Sequence, residues 1–167
     1  MSIAATLLPE FDQEMAVTRR LLVLVPEADA GWKPHPKSFA LGDLAAHIVN
    51  LLAWADLTFM HTEFDVNPPG GEPVQAPRFK GTADLLERFD AGVVRVRALL
   101  AGQPDEAFAI HWTLLNGGQT VLSMPRLACW RGFIMNHIIH HRGQLSVYLR
   151  LRDVPLPSIY GPTADMK

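Results

Sequence analysis

The segment Asn136–Tyr148, NHIIHHRGQLSVY, carries the most specific pattern in the sequence, and the fold prediction starts from it. His137 and His141 are four residues apart, so on a helix their side chains differ by about 40° in direction and about 6 Å in rise. Two imidazoles at that spacing can reach one metal ion. Both lie in one apolar stripe of the helical wheel, whereas His140 falls about 60° outside it, at the rim. The apolar members of this stripe are Trp130, Ile134, Leu145 and Tyr148.

A third histidine belongs to another predicted helix, Ala40–Glu63. On its wheel, His47 lies inside the apolar stripe and therefore faces the core, while Ala45 and Val49 lie on the opposite side. That opposite side is less polar than a fully solvated face would be. The stripe around His47 contains Leu44, Leu51, Trp54, Ala55 and Thr58.

Three imidazoles from two helices would leave positions on a metal ion open for water or substrate, which is typical of a catalytic site. The predicted ligands are His47, His137 and His141. Imidazole suits Zn, Ni, Fe and Cu, so the ligand type alone does not choose the ion. The alternative is that the same histidines are hydrogen-bonded core residues without a metal, because each buried imidazole needs a polar partner.

Helical periodicity, ended by proline or glycine, predicts four helices and hence an all-α four-helix bundle. Between the third and fourth helices, the stretch HWTLLNGGQTVLSM predicts either two short strands around Asn-Gly-Gly or an irregular excursion. The connection VNPPGGEPVQAPRFKG is long, which allows the second and third helices to run parallel. The helices are predicted at about Thr6–Val25, Ala40–Glu63, Thr82–Ala101 and Pro125–Asp153.

Length and composition predict one globular domain spanning residues 1–167, because 49% of the residues are hydrophobic and 19% are charged. The formal net charge of −2 argues against a nucleic-acid binder, which needs a basic surface. The single cysteine, Cys129, excludes a disulfide framework, and we expect it to be structural. No apolar run reaches the roughly 18 residues of a membrane helix, and no targeting signal is visible. We therefore expect a soluble, cytoplasmic protein.

Other histidines are weaker candidates for the metal site. His61 shares the side of His47 but would lie about 21 Å further along the helix axis. His35 stands between two prolines and His111 lies beside the predicted hairpin, so both are expected at the surface. Asp43, four residues before His47, could orient that imidazole as an acceptor or simply cap and solvate the first helical turn.

No general base can be assigned from the sequence. His140 and Tyr160 are candidates by reactivity alone, and each fits a rim or tail position equally well. The far side of the last helix carries small or apolar residues where a solvated helix would carry charges, which predicts packing on another helix, either in a homodimer or within the chain. These residues are Gly132, Met135, Ile139 and Ser146.

Three segments in this order resemble the DinB/YfiT-like superfamily over the whole chain. They are WKPHPKSFALGDLAAHIVNLLAW, NHIIHHRGQLSVYLR and PSIYGPTAD, of which the second is the most specific. The resemblance implies a four-helix bundle with up-down-down-up topology, a homodimer and a divalent metal held by His47, His137 and His141. Characterised relatives include S-transferases and isomerases that use mycothiol or bacillithiol, and some hydrolases.

The sequence therefore predicts a metal-dependent enzyme acting on a small molecule, either a thiol-dependent S-transferase or a hydrolase. The expected cofactor is a divalent ion, with Zn or Ni first and Fe or Mn as further options. The expected partners are a small-molecule substrate and a low-molecular-weight thiol, with no nucleic acid and no membrane. The alternative function is a non-catalytic, stress-related protein that binds a metal or a small ligand through the same residues.

Overall fold

The computed structural model describes residues 1–166, in which helices pack around one apolar core. The longer helices are α1 (Ile3–Leu22), α2 (Leu41–Asn50), α3 (Ala53–Met60), α4 (Thr82–Ala101) and α6 (Asn136–Leu151), with a short helix, α5 (Arg126–Ala128), before α6. The first helix, α1, packs against α4 and α6; α2 also packs against α4 and α6, and α3 packs against α4. Two short 3₁₀ turns, Glu27–Asp29 and Asp105–Ala109, lie in the connections. No helix among the described residues combines the length and apolar character needed to cross a bilayer.

The single helix predicted at Ala40–Glu63 is two helices, α2 and α3, joined at Leu51 and Leu52. The amide of Leu52 bonds to the carbonyl of Val49, and the amide of Trp54 bonds to that of Leu51, both at 3.2 Å. These three-residue bonds replace the four-residue pattern of an α-helix over a short stretch, in which both leucines keep right-handed helical backbone angles. Both leucines are fully buried, so the interruption between α2 and α3 lies within the core.

The prediction of an all-α fold is wrong, because the structure contains a three-stranded mixed sheet in the order β1-β2-β3. Strand β1 (Glu63–Asp65) pairs parallel with β2 (His111–Asn116), and β2 pairs antiparallel with β3 (Gln119–Pro125). The Asn-Gly-Gly hairpin is thus present, whereas β1 has only three residues and pairs with a distant segment. A strand that short carries no periodicity from which it could be predicted.

Asp65 fixes the tip of the hairpin. Its carboxylate accepts hydrogen bonds from the amides of Asn67, Gly117 and Gly118 at 2.8, 3.0 and 2.7 Å. Gly117 and Gly118 have φ angles of +62° and +76°, which glycine adopts without steric cost. Desolvation raises the pKa of Asp65, but the three backbone hydrogen bonds outweigh it and hold this pKa below its usual range.

A second apolar cluster joins the sheet to the helices. Trp112 of β2 is fully buried, and its indole N–H donates to the carbonyl of Leu57 at 3.0 Å. Phe133 packs in the same cluster, with its ring edge-on to that of Trp54 at a centroid distance of 5.2 Å. This cluster holds Phe133 in place directly before the histidine motif of α6.

The last helical run is longer than α6 alone. It begins with one α-helical turn, α5 (Arg126–Ala128), and continues as a π-helical segment, Cys129–Met135, into α6. Within this run Met135 is buried by the chain itself, whereas Gly132 is exposed. The small, apolar far side of the helix is therefore partly covered within the protomer. The homodimer stays a prediction, which light scattering at micromolar concentration would test.

Candidate metal centre

The structure brings His47, His137 and His141 together, because α2 packs against α6. One ring nitrogen from each residue lies within 4.8 Å of the other two. The Nε2 atoms of His47 and His137 are 3.4 Å apart. His47 and His137 are half-buried and His141 is buried, so the cluster lies at the edge of the core.

The distance between the Nε2 atoms of His47 and His137 matches the distance expected between two ligands of one ion. At Zn–N distances of about 2.0–2.1 Å and a tetrahedral angle, two ligand nitrogens lie about 3.3 Å apart. The observed 3.4 Å between His47 and His137 agrees with this value. A donor set of three imidazoles suits borderline divalent ions such as Zn, Ni or Fe. The residues present therefore fit a divalent metal.

Two of the imidazoles are oriented by neighbours on the same helical run. Nδ1 of His141 lies 2.7 Å from the side-chain oxygen of Gln144, which can only accept, so this ring nitrogen carries the proton. His137 makes a hydrogen bond with the backbone carbonyl of Phe133. The free lone pair of His141 is then on Nε2, and Nε2 of His137 is the nitrogen that faces His47. Hydrogen bonds of this kind fix the tautomer and direction of metal-binding histidines.

The environment keeps the three imidazoles neutral. Desolvation by burial, together with the neighbouring His141 and His137, lowers the pKa of His47 to about 4. Burial is also the main cause that lowers the pKa values of His137 and His141, and it outweighs their hydrogen bonds to Phe133 and Gln144, which raise them. Neutral imidazole is the form that binds a metal.

Phe39 covers one side of the cluster, and sequence analysis missed it. Its ring stacks on His47 at a centroid distance of 5.3 Å and meets His141 edge-on at 6.0 Å. The side chain is still 45% exposed. A cleft of about 310 Å³ opens beside His47, bordered by Phe39, Asp43 and the segment 76–78. The cluster is thus accessible to a small molecule from this side.

The other histidines lie apart from the cluster or at its rim. His35, His61 and His111 are all exposed, as expected. His140 is also exposed, with its ring 4.9 Å from that of His141. Asp43 is exposed as well, and within residues 1–166 it makes no hydrogen bond to His47.

Tyr160 is exposed and belongs to an ionic network with the buried residues Glu14 and Arg142, not to the histidine cluster. Its hydroxyl donates to the carboxylate of Glu14 at 2.9 and 3.0 Å and accepts from Arg142 at 2.5 Å. Arg142 is 1% exposed and pairs with Glu14 at 2.5 Å. Burial and the bond to Glu14 raise the pKa of Tyr160. The network fastens the C-terminal segment to α1 and α6.

Cys129 is fully buried, as expected for a structural residue. Its sulfur lies 3.5 Å from the hydroxyl of Thr58, and burial raises the pKa of the thiol. A raised pKa keeps the sulfur protonated and unreactive.

The protein is thus a mainly helical domain with a small mixed sheet. Two of its helices bring together three histidines that fit a divalent metal. The model of the DinB superfamily matches residues 10–145. The chain therefore belongs to the DinB superfamily, which confirms the resemblance seen in its sequence.

Two solved structures share this fold. A DinB-like protein from Bacillus subtilis matches with a TM-score of 0.68 and 20% identity, over 92% of this chain and 96% of that one. A DinB-like protein from Bacillus cereus ATCC 10987 matches with a TM-score of 0.69 and 22% identity, over 92% and 95% of the two chains. No curated protein sequence matches the chain significantly. At these identities the likeness concerns the fold alone.

Proposed function

We propose that this protein is a divalent-metal-dependent enzyme acting on a small molecule, with thiol transfer as its reaction and hydrolysis as the second option. The observation that carries the proposal is the cluster of His47, His137 and His141, whose nitrogens lie within reach of one ion. Three protein ligands leave a fourth position for a reactant, which distinguishes catalytic from closed structural sites. Zn and Ni are the ions we expect first, followed by Fe and Mn.

The bound ion would supply Lewis acidity, lowering the pKa of a thiol or water molecule in its open position. The protein contributes position and a defined protonation state. Gln144 and the carbonyl of Phe133 hold two imidazoles with Nε2 toward the cluster. Phe39 shields the flat side of His47 from water, and the cleft beside that ring admits the reactant.

Thiol transfer requires fewer catalytic groups at this site than hydrolysis does. An ordinary thiol has a pKa of about 8.5, so a shift of about two units makes it an anion at neutral pH. A bound metal ion can supply the shift of about nine units that water needs, but hydrolysis also requires a group that transfers a proton to the leaving group. Tyr160, a candidate base by reactivity, is held by Glu14 and Arg142. This difference favours the thiol as nucleophile.

Metal content is the first measurement, made by inductively coupled plasma mass spectrometry on protein without a polyhistidine tag. We expect about one divalent ion per chain in the wild type and its loss in His137→Ala. His61→Ala is the matched control, because this histidine is exposed and outside the cluster. Loaded protein is then assayed with low-molecular-weight thiols plus electrophiles, and with ester and amide panels.

The alternatives give different results in the same experiment. No metal in any sample, even after Zn or Ni is added, would make the 3.4 Å contact of His47 and His137 an ordinary hydrogen bond and would end the enzyme proposal. Full metal occupancy without turnover of either panel would favour a non-catalytic metal- or ligand-binding protein. Thiol consumption that is lost in His137→Ala supports thiol transfer.

A further inference from the structure

A cavity of about 430 Å³ lies between α2, α3 and α4, next to the metal centre. Its wall is largely apolar, and its volume falls within the range of small-molecule binding sites, roughly 300–1,000 Å³. The lining includes Leu52, Trp54, Leu57, Phe64 and Val66.

The cavity is connected to the histidine cluster in two ways. Asn50 and Pro77 border both this cavity and the cleft beside His47, and Asn50 lies about one helical turn after that histidine. On the other side, the rings of Trp54 and Phe133 are 5.2 Å apart, and those of Phe133 and His137 are 6.0 Å apart. A molecule in the cavity therefore lies beside the cleft at His47, whereas the rings of Trp54 and Phe133 stand between it and His137.

The segment that closes the cavity is fastened by polar contacts. The side-chain amide of Asn50 donates to the carbonyl of Pro77 at 2.7 Å and accepts from Arg88 at 3.2 Å. Arg88 also donates to the carbonyl of Arg78 at 3.4 Å. These bonds hold residues 77 and 78 against α2 and α4, so the wall is preformed before any ligand binds.

The charged side chains that line the cavity are cationic. Arg88 and Arg95 are the charged side chains of its lining, and no acidic residue is among them within residues 1–166. Arg88 is occupied by Asp84 and Asn50. Arg95 uses its Nε to bind Asp56 at 2.7 Å, and its two terminal amino groups have no hydrogen-bond partner in the described part of the chain. They are suited to a carboxylate.

We infer that this cavity holds the apolar or aromatic body of the substrate, with a carboxylate bound by Arg95 and the reacting end directed toward Asn50 and the metal centre. The order along the helices supports this direction, because Asn50 ends α2 near His47 whereas Arg95 is anchored to α3 through Asp56. The inference rests on the proposed function, since it makes the cavity part of the same site.

The experiment titrates 2-naphthoate into the metal-free and Zn-loaded protein by isothermal calorimetry, with neutral 2-naphthalenemethanol as the matched ligand. Arg95→Gln should weaken naphthoate binding at least about tenfold and leave the neutral ligand nearly unchanged. Arg97→Gln is the matched control, because Arg97 is exposed, pairs with Asp12 and does not line the cavity.

A second pair of variants tests the volume of the cavity independently of charge. Ala91 is an exposed residue of α4 that lines the cavity, so Ala91→Trp should fill it without disturbing the core and should abolish binding of both ligands. Ala98→Trp, two turns further along α4 and also exposed, should bind both like the wild type. Circular dichroism confirms that each variant is folded.

The outcomes separate this inference from the proposed function. Zn binding without saturable naphthoate binding, or naphthoate binding that survives both Ala91→Trp and Arg95→Gln, overturns the inference and leaves the metal proposal intact. Naphthoate binding with the expected sensitivity, in a protein that takes up no Zn, overturns the proposed function and leaves the cavity as a ligand site. Binding of both, with the variant pattern above, supports the inference.

Discussion

Lowering the pH should weaken metal binding much less than three ordinary histidines would allow. Protons compete with a metal for imidazole, and an imidazole with the usual pKa of about 6.5 loses about tenfold in apparent affinity between pH 7.5 and 5.5. Three such ligands would together lose about 1,000-fold. Burial and neighbouring imidazoles lower the pKa of His47 to about 4, so this residue stays neutral across the whole interval.

The expected loss of metal affinity follows from this lowered pKa of His47. With the contribution of His47 removed, the apparent affinity falls by less than about 100-fold over the same interval. The lowered pKa values of His137 and His141 reduce the loss further, because a lowered pKa moves proton competition to more acidic pH. Proton release upon binding should be small as well. At pH 6.5, three ordinary imidazoles would release about 1.5 protons per Zn, whereas we expect fewer than about one.

The assay is calorimetric titration of Zn into metal-free, untagged protein at pH 7.5, 6.5 and 5.5 and constant ionic strength. Buffers of different ionisation enthalpy give the number of protons released at each pH. His61→Ala should reproduce the wild-type curve, since His61 is exposed and outside the cluster. A fall of 1,000-fold or more, with release of about 1.5 protons at pH 6.5, would show ordinary imidazoles and refute the reasoning.

Three further predictions concern single contacts. Gln144→Leu removes the acceptor for Nδ1 of His141 and should weaken Zn binding about 10–100-fold by calorimetry, whereas Gln144→Glu should not. Equal affinity in all three proteins contradicts the orienting role of Gln144. Arg142→Met leaves the buried carboxylate of Glu14 without its cation and should lower the free energy of unfolding in urea by about 3–5 kcal/mol. Adding Glu14→Gln should recover part of that free energy, and no recovery argues against the ion pair. Asp65→Ala should speed hydrogen exchange at the amides of residues 117 and 118, and unchanged exchange would refute its role at the hairpin tip.

The histidine cluster could be predicted because helical periodicity is a local signal. Helical spacing predicts that His137 and His141 share one face of a helix, and the apolar stripe around His47 predicts that this residue faces the core. The three side chains then meet if α2 and α6 pack together, as they do. The same reasoning could also have predicted the contact of Gln144 with His141, since the two residues are three positions apart on one helix. Phe39 was not, because it precedes α2 in a connection without periodicity, and its place over the rings depends on tertiary packing.

The features that could not be predicted depend on distant parts of the chain. Strand β1 forms only because β2, nearly fifty residues later, offers it a partner. The interruption between α2 and α3 at Leu51 and Leu52 contains no proline or glycine, so no local sequence signal predicts it. The π-helical segment Cys129–Met135 also lacks a sequence signal, although such segments often occur beside functional sites.

The two apolar faces of α2 connect the fold to the inferred substrate pocket. On the wheel, Ala45 and Val49 lie opposite His47 and look too apolar for a solvated face, and in the structure both are buried. A helix that is apolar on both sides must lie between two packed regions. One region holds the histidine cluster, and Val49 lines the cavity in the other. Asn50, between these two faces, borders both spaces, so one short helix places the expected metal ligand and the wall of the cavity within about one turn of each other.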